Sequence, residues 1–239
     1  MRVIALVVLF LFPSFFDQQI DLNKKLKTSQ IVIVTTSGWN SIDGKMDAYE
    51  WKNNKWVSVL RDIPIVTGRS GLAWGKGLHN EEFNKGKLKK EGDGNAPAGI
   101  FYLTGLFGYN DILSKMNSLK VDDRTFCVDD TLSSYYNQIV KLDSVKKDWT
   151  SAETMRMKSD VYKYGIFVNY NVNPAEAGKG SCIFMHIWSE SDSPTAGCTA
   201  MTEANILKLI SFLDKKKNPV LVQIPQSEYH KLKQTYKLP

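Results

Sequence analysis

The sequence predicts one mainly β domain with a few helices, on three observations. Short apolar runs rich in Val, Ile, Phe and Tyr recur between turns that carry Gly, Asn and Pro. One stretch, 202–215, stands out with a clear helical period. No repeat, linker or low-complexity segment divides the 239 residues, and 43% hydrophobic with 23% charged is ordinary globular composition. Collagen-like, disordered and polytopic membrane proteins are excluded.

In chain order, Met1 and Arg2 precede an apolar run over 3–12, followed by Pro13 and the polar Asp17-Gln18-Gln19. About 10 apolar residues suit a signal-peptide core and fall short of a membrane span. Residues 1–17 are therefore expected to be a signal peptide or an N-terminal anchor, with the working domain over 18–239. Gln30–Thr36 (QIVIVTT) reads as a buried strand ended by Ser37-Gly38. Strands at 46–51 and 55–60 flank Asn53-Asn54, a hairpin signal, with Trp51 and Trp56 placed to pack across it. A strand at 63–67 leads into a glycine-rich loop over 68–77. That loop is no phosphate loop, because Gly77 stands where Ser or Thr is needed. A second glycine loop, 90–99, lacks the acidic spacing of a calcium loop and feeds a strand at 100–103.

Short helices are expected at 111–119 and 152–157, and core strands at 165–170 and 181–188. In the helix over 202–215, Ile206, Leu209, Ile210 and Leu213 share one face. A strand at 219–224 and a terminal helix at 226–236 follow. The 31 Lys and Arg against 25 Asp and Glu give a formal charge of +6. Their densest groups, at 24–27, 85–90 and 215–217, are scattered as on a solvated surface, and no nucleic-acid partner is expected.

Chemistry concentrates between 180 and 201. As a strand, SCIFMHIW (181–188) turns Cys182, Phe184, His186 and Trp188 to one face and aliphatic Ile183, Met185 and Ile187 to the other. A polar loop then reaches PTAGCTAM (194–201), which sets Cys198 after a glycine and a few residues before the strongest helix. Amide N–H groups and the positive helix end would favour a thiolate there. His186 would serve as its base. From spacing alone this pair competes with a buried small thiol beside a satisfied core histidine. Zinc is disfavoured, since there is no CxxC pair and no HExxH.

HIW, a short loop and PTAGCTAM resemble the L,D-transpeptidase (YkuD-type) catalytic domain, whose signature is His, a loop, then Ser/Thr-x-Gly-Cys. The resemblance extends through GRSGLAWGKGLH (68–79), EGDGNAPAGIF (91–101), CVDDTLSSYYNQIV (127–140) and 178–201, and is to a Gram-negative branch of the family. It implies a β-sandwich-like or barrel-like single domain without metal or organic cofactor. It further implies Cys198 as nucleophile, His186 as general base, and the backbone N–H groups of Gly197 and Cys198 as oxyanion donors. The implied substrates are peptidoglycan stem peptides, with D-alanine released and an amine from a second stem or a lipoprotein lysine as acceptor. The implied location is the periplasm or cell envelope, with membrane contact only through an uncleaved N-terminal segment.

Two departures stand out. Ala196 replaces a His common in the family, and Ala200 replaces an Arg or Asn. Arg69, Lys76 or His79 is then the candidate to hold the substrate carboxylate, while Trp74 and Trp188 are candidates to line the groove. Cys127 and Cys182 either form a disulfide, leaving Cys198 as the odd thiol, or remain two buried thiols. Asp129-Asp130 reads as a turn or helix start rather than a metal site. The alternatives to a transpeptidase are an L,D-carboxypeptidase using the same thioester and a non-catalytic wall-binding module.

Overall fold

Residues 19–239 are described by a computed structural model; the expected export segment, 1–17, lies outside the described residues. A short helix α1 (Leu22–Leu26) precedes the meander β1 (Gln30–Thr36), β2 (Asp43–Lys52) and β3 (Lys55–Val66). Next come β4 (Leu72–Trp74), β5 (Ala96–Gly108) and β6 (Ser118–Lys120), then β7 (Thr125–Val128), β8 (Ile139–Lys141) and β9 (Ala152–Thr154). The chain ends with β10 (Tyr164–Val168), β11 (Phe184–Ile187), β12 (Thr199–Met201), α2 (Glu203–Phe212), β13 (Val220–Pro225) and α3 (Gln226–Tyr236).

The main sheet runs β10-β11-β12-β3-β2-β1-β13-β5 and closes when β5 pairs back onto β10. This eight-stranded barrel-like sheet carries β4 and β6 as extra strands on β5. Closure removes the free edges that an open sheet would expose. A separate small sheet has the order β8-β7-β9.

The run QIVIVTT is apolar on both faces because β1 is covered on both. Val32 and Val34 join one core with Met46, Met185 and the α2 residues Ile206, Leu209 and Ile210. Ile31 and Ile33 join a second core with Val220, Val222, Leu232 and Tyr236, under α1 and α3. Parallel pairing of β1 with β13 fits strands buried on both sides. The β2–β3 turn places Asn53 and Asn54 at φ 51° and 59°, as a two-residue hairpin with right-handed strand twist requires. Trp51 and Trp56 stand opposite each other with ring centroids 5.0 Å apart.

The expected helix at 111–119 is instead a turn ending in β6, and the one at 152–157 is the edge strand β9. β9 is too short to show a period in sequence; its extended form comes from pairing with β7, Glu153 opposite Cys127. The expected strand 181–188 starts only at Phe184, because Cys182 sits in the left-handed region at φ 54°. α2 stops at Phe212 rather than Lys215, and the lysines 215–217 form a separate 3-10 turn. Thr202 caps α2, its hydroxyl oxygen accepting from Asn205 N–H at 3.2 Å.

Candidate active site

His186 and Cys198 come from adjacent parallel strands. β11 pairs with β12 so that His186 lies beside Ala200, which puts Cys198 diagonally across from His186 on one face. Both side chains border one cleft of about 160 Å³, together with Arg69, Lys89, Glu153 and Tyr162. The other strand neighbour of His186 is Gly165 on β10, where a Cβ would meet the Phe107 ring at 2.1 Å, so the glycine admits Phe107 beside the site.

The thiol of Cys198 is buried and free, since Cys127 and Cys182 form a disulfide. Phe184 N–H donates to its Sγ at 3.3 Å, and the thiol donates to the Cys182 carbonyl at 3.5 Å. Burial pushes the thiol well up; Glu153 adds to this, while Phe184 N–H, Lys89 and the Tyr162 hydroxyl oppose it. The expected help from a helix end is absent. β12 intervenes, so Cys198 is not at the start of α2.

His186 Nδ1 donates to the Ile187 carbonyl at 2.8 Å, which leaves the Nε2 lone pair to accept a proton. A carbonyl has no proton to give, so this bond selects the tautomer. Burial lowers His186 to about 4, and the ring is neutral at pH 7. Tyr162 packs edge-on against it, ring centroids 5.2 Å apart.

The approach to Cys198 is shaped by Gly197 (φ 155°), where a Cβ would come within 3.0 Å of the Asn95 carbonyl oxygen. Gly197 N–H already donates to Thr195 Oγ1 at 3.1 Å. In this state the N–H expected as an oxyanion donor is therefore engaged within its own loop.

Of the five expected substrate contacts, Arg69 alone borders this cleft, with its side chain exposed. Trp74 is buried in the second core, its indole N–H donating to the Lys85 carbonyl. His79 is buried too; Asn84 Oδ1 lies 2.8 Å from Nε2, and Nδ1 accepts from Ile100 N–H. Lys76 pairs with Glu176 in a neighbouring depression, and Trp188 lies just past the end of β11 outside the cleft lining. Packing thus removes Trp74 and His79 from the substrate's reach, while Lys76 and Trp188 stay partly exposed outside this cleft. A glycine-rich stretch marks close approach of backbone, not the direction of the side chains around it.

Sequence reading missed the polar wall facing Cys198. Lys89, taken as part of a surface group, is 4% exposed and pairs with Asp93 at 2.8 Å. Glu91 accepts from the Ser181 hydroxyl at 2.7 Å and the Tyr136 hydroxyl at 2.5 Å. Tyr162 donates to Glu153 Oε2 at 2.7 Å. Asp129 Oδ1 is buried without a partner among the described residues. Only the disulfide offered a signal for this wall, because Cys127 brings β7 and its neighbour β9 to the cleft.

The family described as YkuD, L,D-transpeptidase catalytic domain, matches residues 41–222. Among curated proteins none matches the chain. Among solved structures, the helical cell shape determining protein Pgp2 from Campylobacter jejuni aligns over 82% of this chain at 16% identity, with a TM-score of 0.36. The chain spans about half of that protein, 48%, and the likeness is too loose to bear on function. With most of its described length matched by one family, the chain belongs to the YkuD family of L,D-transpeptidase catalytic domains.

Proposed function

We propose that the protein is a cysteine-dependent acyltransferase acting on peptidoglycan stem peptides, with Cys198 as nucleophile and His186 as base. One observation carries this reading. A lone thiol and an imidazole with a free Nε2 line a single cleft, while the other two cysteines are locked together. Neutral His186 takes the thiol proton, and Cys198 Sγ attacks the carbonyl of an L-centre to D-centre peptide bond. Cys198 N–H steadies the oxyanion, an effect worth about 3 kcal/mol per donor. As the C–N bond breaks, the imidazolium returns its proton to the leaving D-alanine amine and a thioester remains. An amine from a second stem or a lipoprotein lysine then resolves it. Exposed Arg69 stands at the cleft as the cation for the substrate carboxylate in place of the residue that Ala200 lacks.

The disulfide and the apolar run at 3–12 support a location in the periplasm or cell envelope, where disulfides persist. Intact-mass measurement after incubation with a tetrapeptide stem tests the reading. The expected product is an acyl adduct that maps to Cys198, and Cys198→Ala loses the adduct and at least about 10³-fold in turnover while keeping its melting curve. Near-wild-type turnover in Cys198→Ala would sink the assignment. Release of D-alanine without cross-linked dimers would identify water as the acceptor and the enzyme as an L,D-carboxypeptidase.

A further inference from the structure

Two facts about the cleft do not fit a base acting alone. The buried thiol holds its proton tightly, and the buried imidazole resists accepting one. Cys198 has hydrogen bonds from Phe184 N–H and to the Cys182 carbonyl, whereas the His186 bond is spent on Ile187. The neighbour that lies against both the thiol and a carboxylate is Tyr162. It lines the same cleft as Cys198 and belongs to the same buried cluster, and its hydroxyl donates to Glu153 Oε2 at 2.7 Å. Tyr162 is 4% exposed and Cys198 is buried, so the sulfur end of the path is shielded from water, while half-buried Glu153 stands at its outer end.

We propose that Glu153, acting through the Tyr162 hydroxyl, is a second proton acceptor for Cys198. In this step the Sγ–H bond breaks as the proton passes to the Tyr162 oxygen, and the Tyr162 O–H proton passes to Glu153 Oε2. The products are a Cys198 thiolate, a neutral Tyr162 and a protonated Glu153. One negative charge moves from carboxylate to sulfur, and nothing is oxidised or reduced. In this relay Tyr162 is the group that meets the reacting sulfur, and Glu153 is a positioning residue that works through it.

The surroundings tune Glu153 for this task. Burial raises its carboxyl to about 7, with Asp129 and Glu91 pushing the same way and Tyr162 opposing them. Lys89 in the same wall favours the thiolate, and Arg69 and His186 complete the charged or titratable lining. Tyr109 is a further titratable neighbour of Tyr162. A carboxylate half-ionised near neutrality can take a proton and return it. The proposal deepens the acyl-transfer reading and rests on it for its use in turnover, but not for its test.

The test is the rate of Cys198 alkylation by iodoacetamide across about pH 5.5 to 9.5, which needs no peptide substrate. In the wild type the rate should rise tenfold per pH unit up to about 7 and then level off, because above that point thiol and carboxylate share one charge. Glu153→Gln should remove the break, leaving a continuous rise; Glu153→Asp should restore it. Tyr162→Phe should lower the plateau by about tenfold. His186→Gln should keep the break while losing turnover on stem peptide. A break near 7 that survives Glu153→Gln, or one that vanishes in His186→Gln, would overturn the proposal. The second arm decides the matter even if Glu153→Gln does not fold. Absence of the acyl adduct on stem peptide would refute the acyltransferase reading while leaving these alkylation results standing.

Discussion

Buried His186 and half-buried Glu153 sit in this cleft with opposite effects on stability. His186 is lowered from 6.5 to about 4, so the folded state binds its proton less tightly than the unfolded chain. The stability it contributes is present above about 6.5 and is lost as pH falls towards 4, about 3 kcal/mol in all. Glu153 is raised from 4.5 to about 7, and its contribution is present below 4.5 and lost as pH rises through 7. That loss is at most about 3 kcal/mol, reduced by the partial exposure of Glu153. Glu153→Gln is therefore expected to gain about 1 to 2 kcal/mol over wild type at pH 8 and little at pH 4. His186→Gln should flatten the acid limb between pH 6.5 and 4. Urea midpoints across pH check both, and equal shifts at pH 4 and 8 would contradict the assignment of Glu153.

At the scale of elements, the disulfide links the small sheet to the strand that carries the site. Cys127 on β7 and Cys182 ahead of β11 are 55 residues apart in sequence. Closing a loop of that size restricts the unfolded chain by about 4 kcal/mol. The clamp also fixes Cys182, whose carbonyl accepts from Cys198 and whose N–H donates to Asn137 Oδ1 at 2.9 Å. Replacing both with alanine should lower the melting temperature by roughly 10 °C. It should also change Cys198 alkylation at fixed pH, since one of the two groups gripping the sulfur is released. Reductant should reproduce both effects in the wild type and neither in the double variant. Gly165→Ala is expected to cost about 2 to 4 kcal/mol, because Phe107 and Tyr164–Val168 would have to part beside His186.

For the molecule as a whole, the two ends of the described chain meet. β1 and β13 lie side by side at the barrel wall, and Ile20 N–H donates to the Thr235 carbonyl of α3. α3 buries Leu232 and Tyr236 in the second core, joined by Leu238 beyond its end. Removing residues 226–239 would strip three buried side chains, each worth about 1.5 to 3 kcal/mol, and uncover Val220, Val222 and Ile224. The truncated chain is expected to lose cooperative unfolding; a melting curve like that of the full chain would show that α3 is dispensable to the barrel.

How much was legible follows the range of the interactions. Gln30–Thr36 and Gln226–Tyr236 read correctly because composition and period suffice there, and the 53–54 turn because left-handed backbone selects Asn. The short elements at 118–120 and 152–154 did not, since three residues carry no period and their state is imposed by partner strands. By itself the sequence determined that the chain is mainly β, that His186 and Cys198 belong to one stretch, and which family they resemble. Only the tertiary structure decided that Cys127 and Cys182 pair, that Trp74, Lys76, His79 and Trp188 stand apart from the cleft, and that Lys89, Glu153 and Tyr162 face the thiol. The physical reason is separation: these groups meet through closure of the barrel and one disulfide, and local patterning along a strand or turn cannot encode which distant side chain will lie across from it.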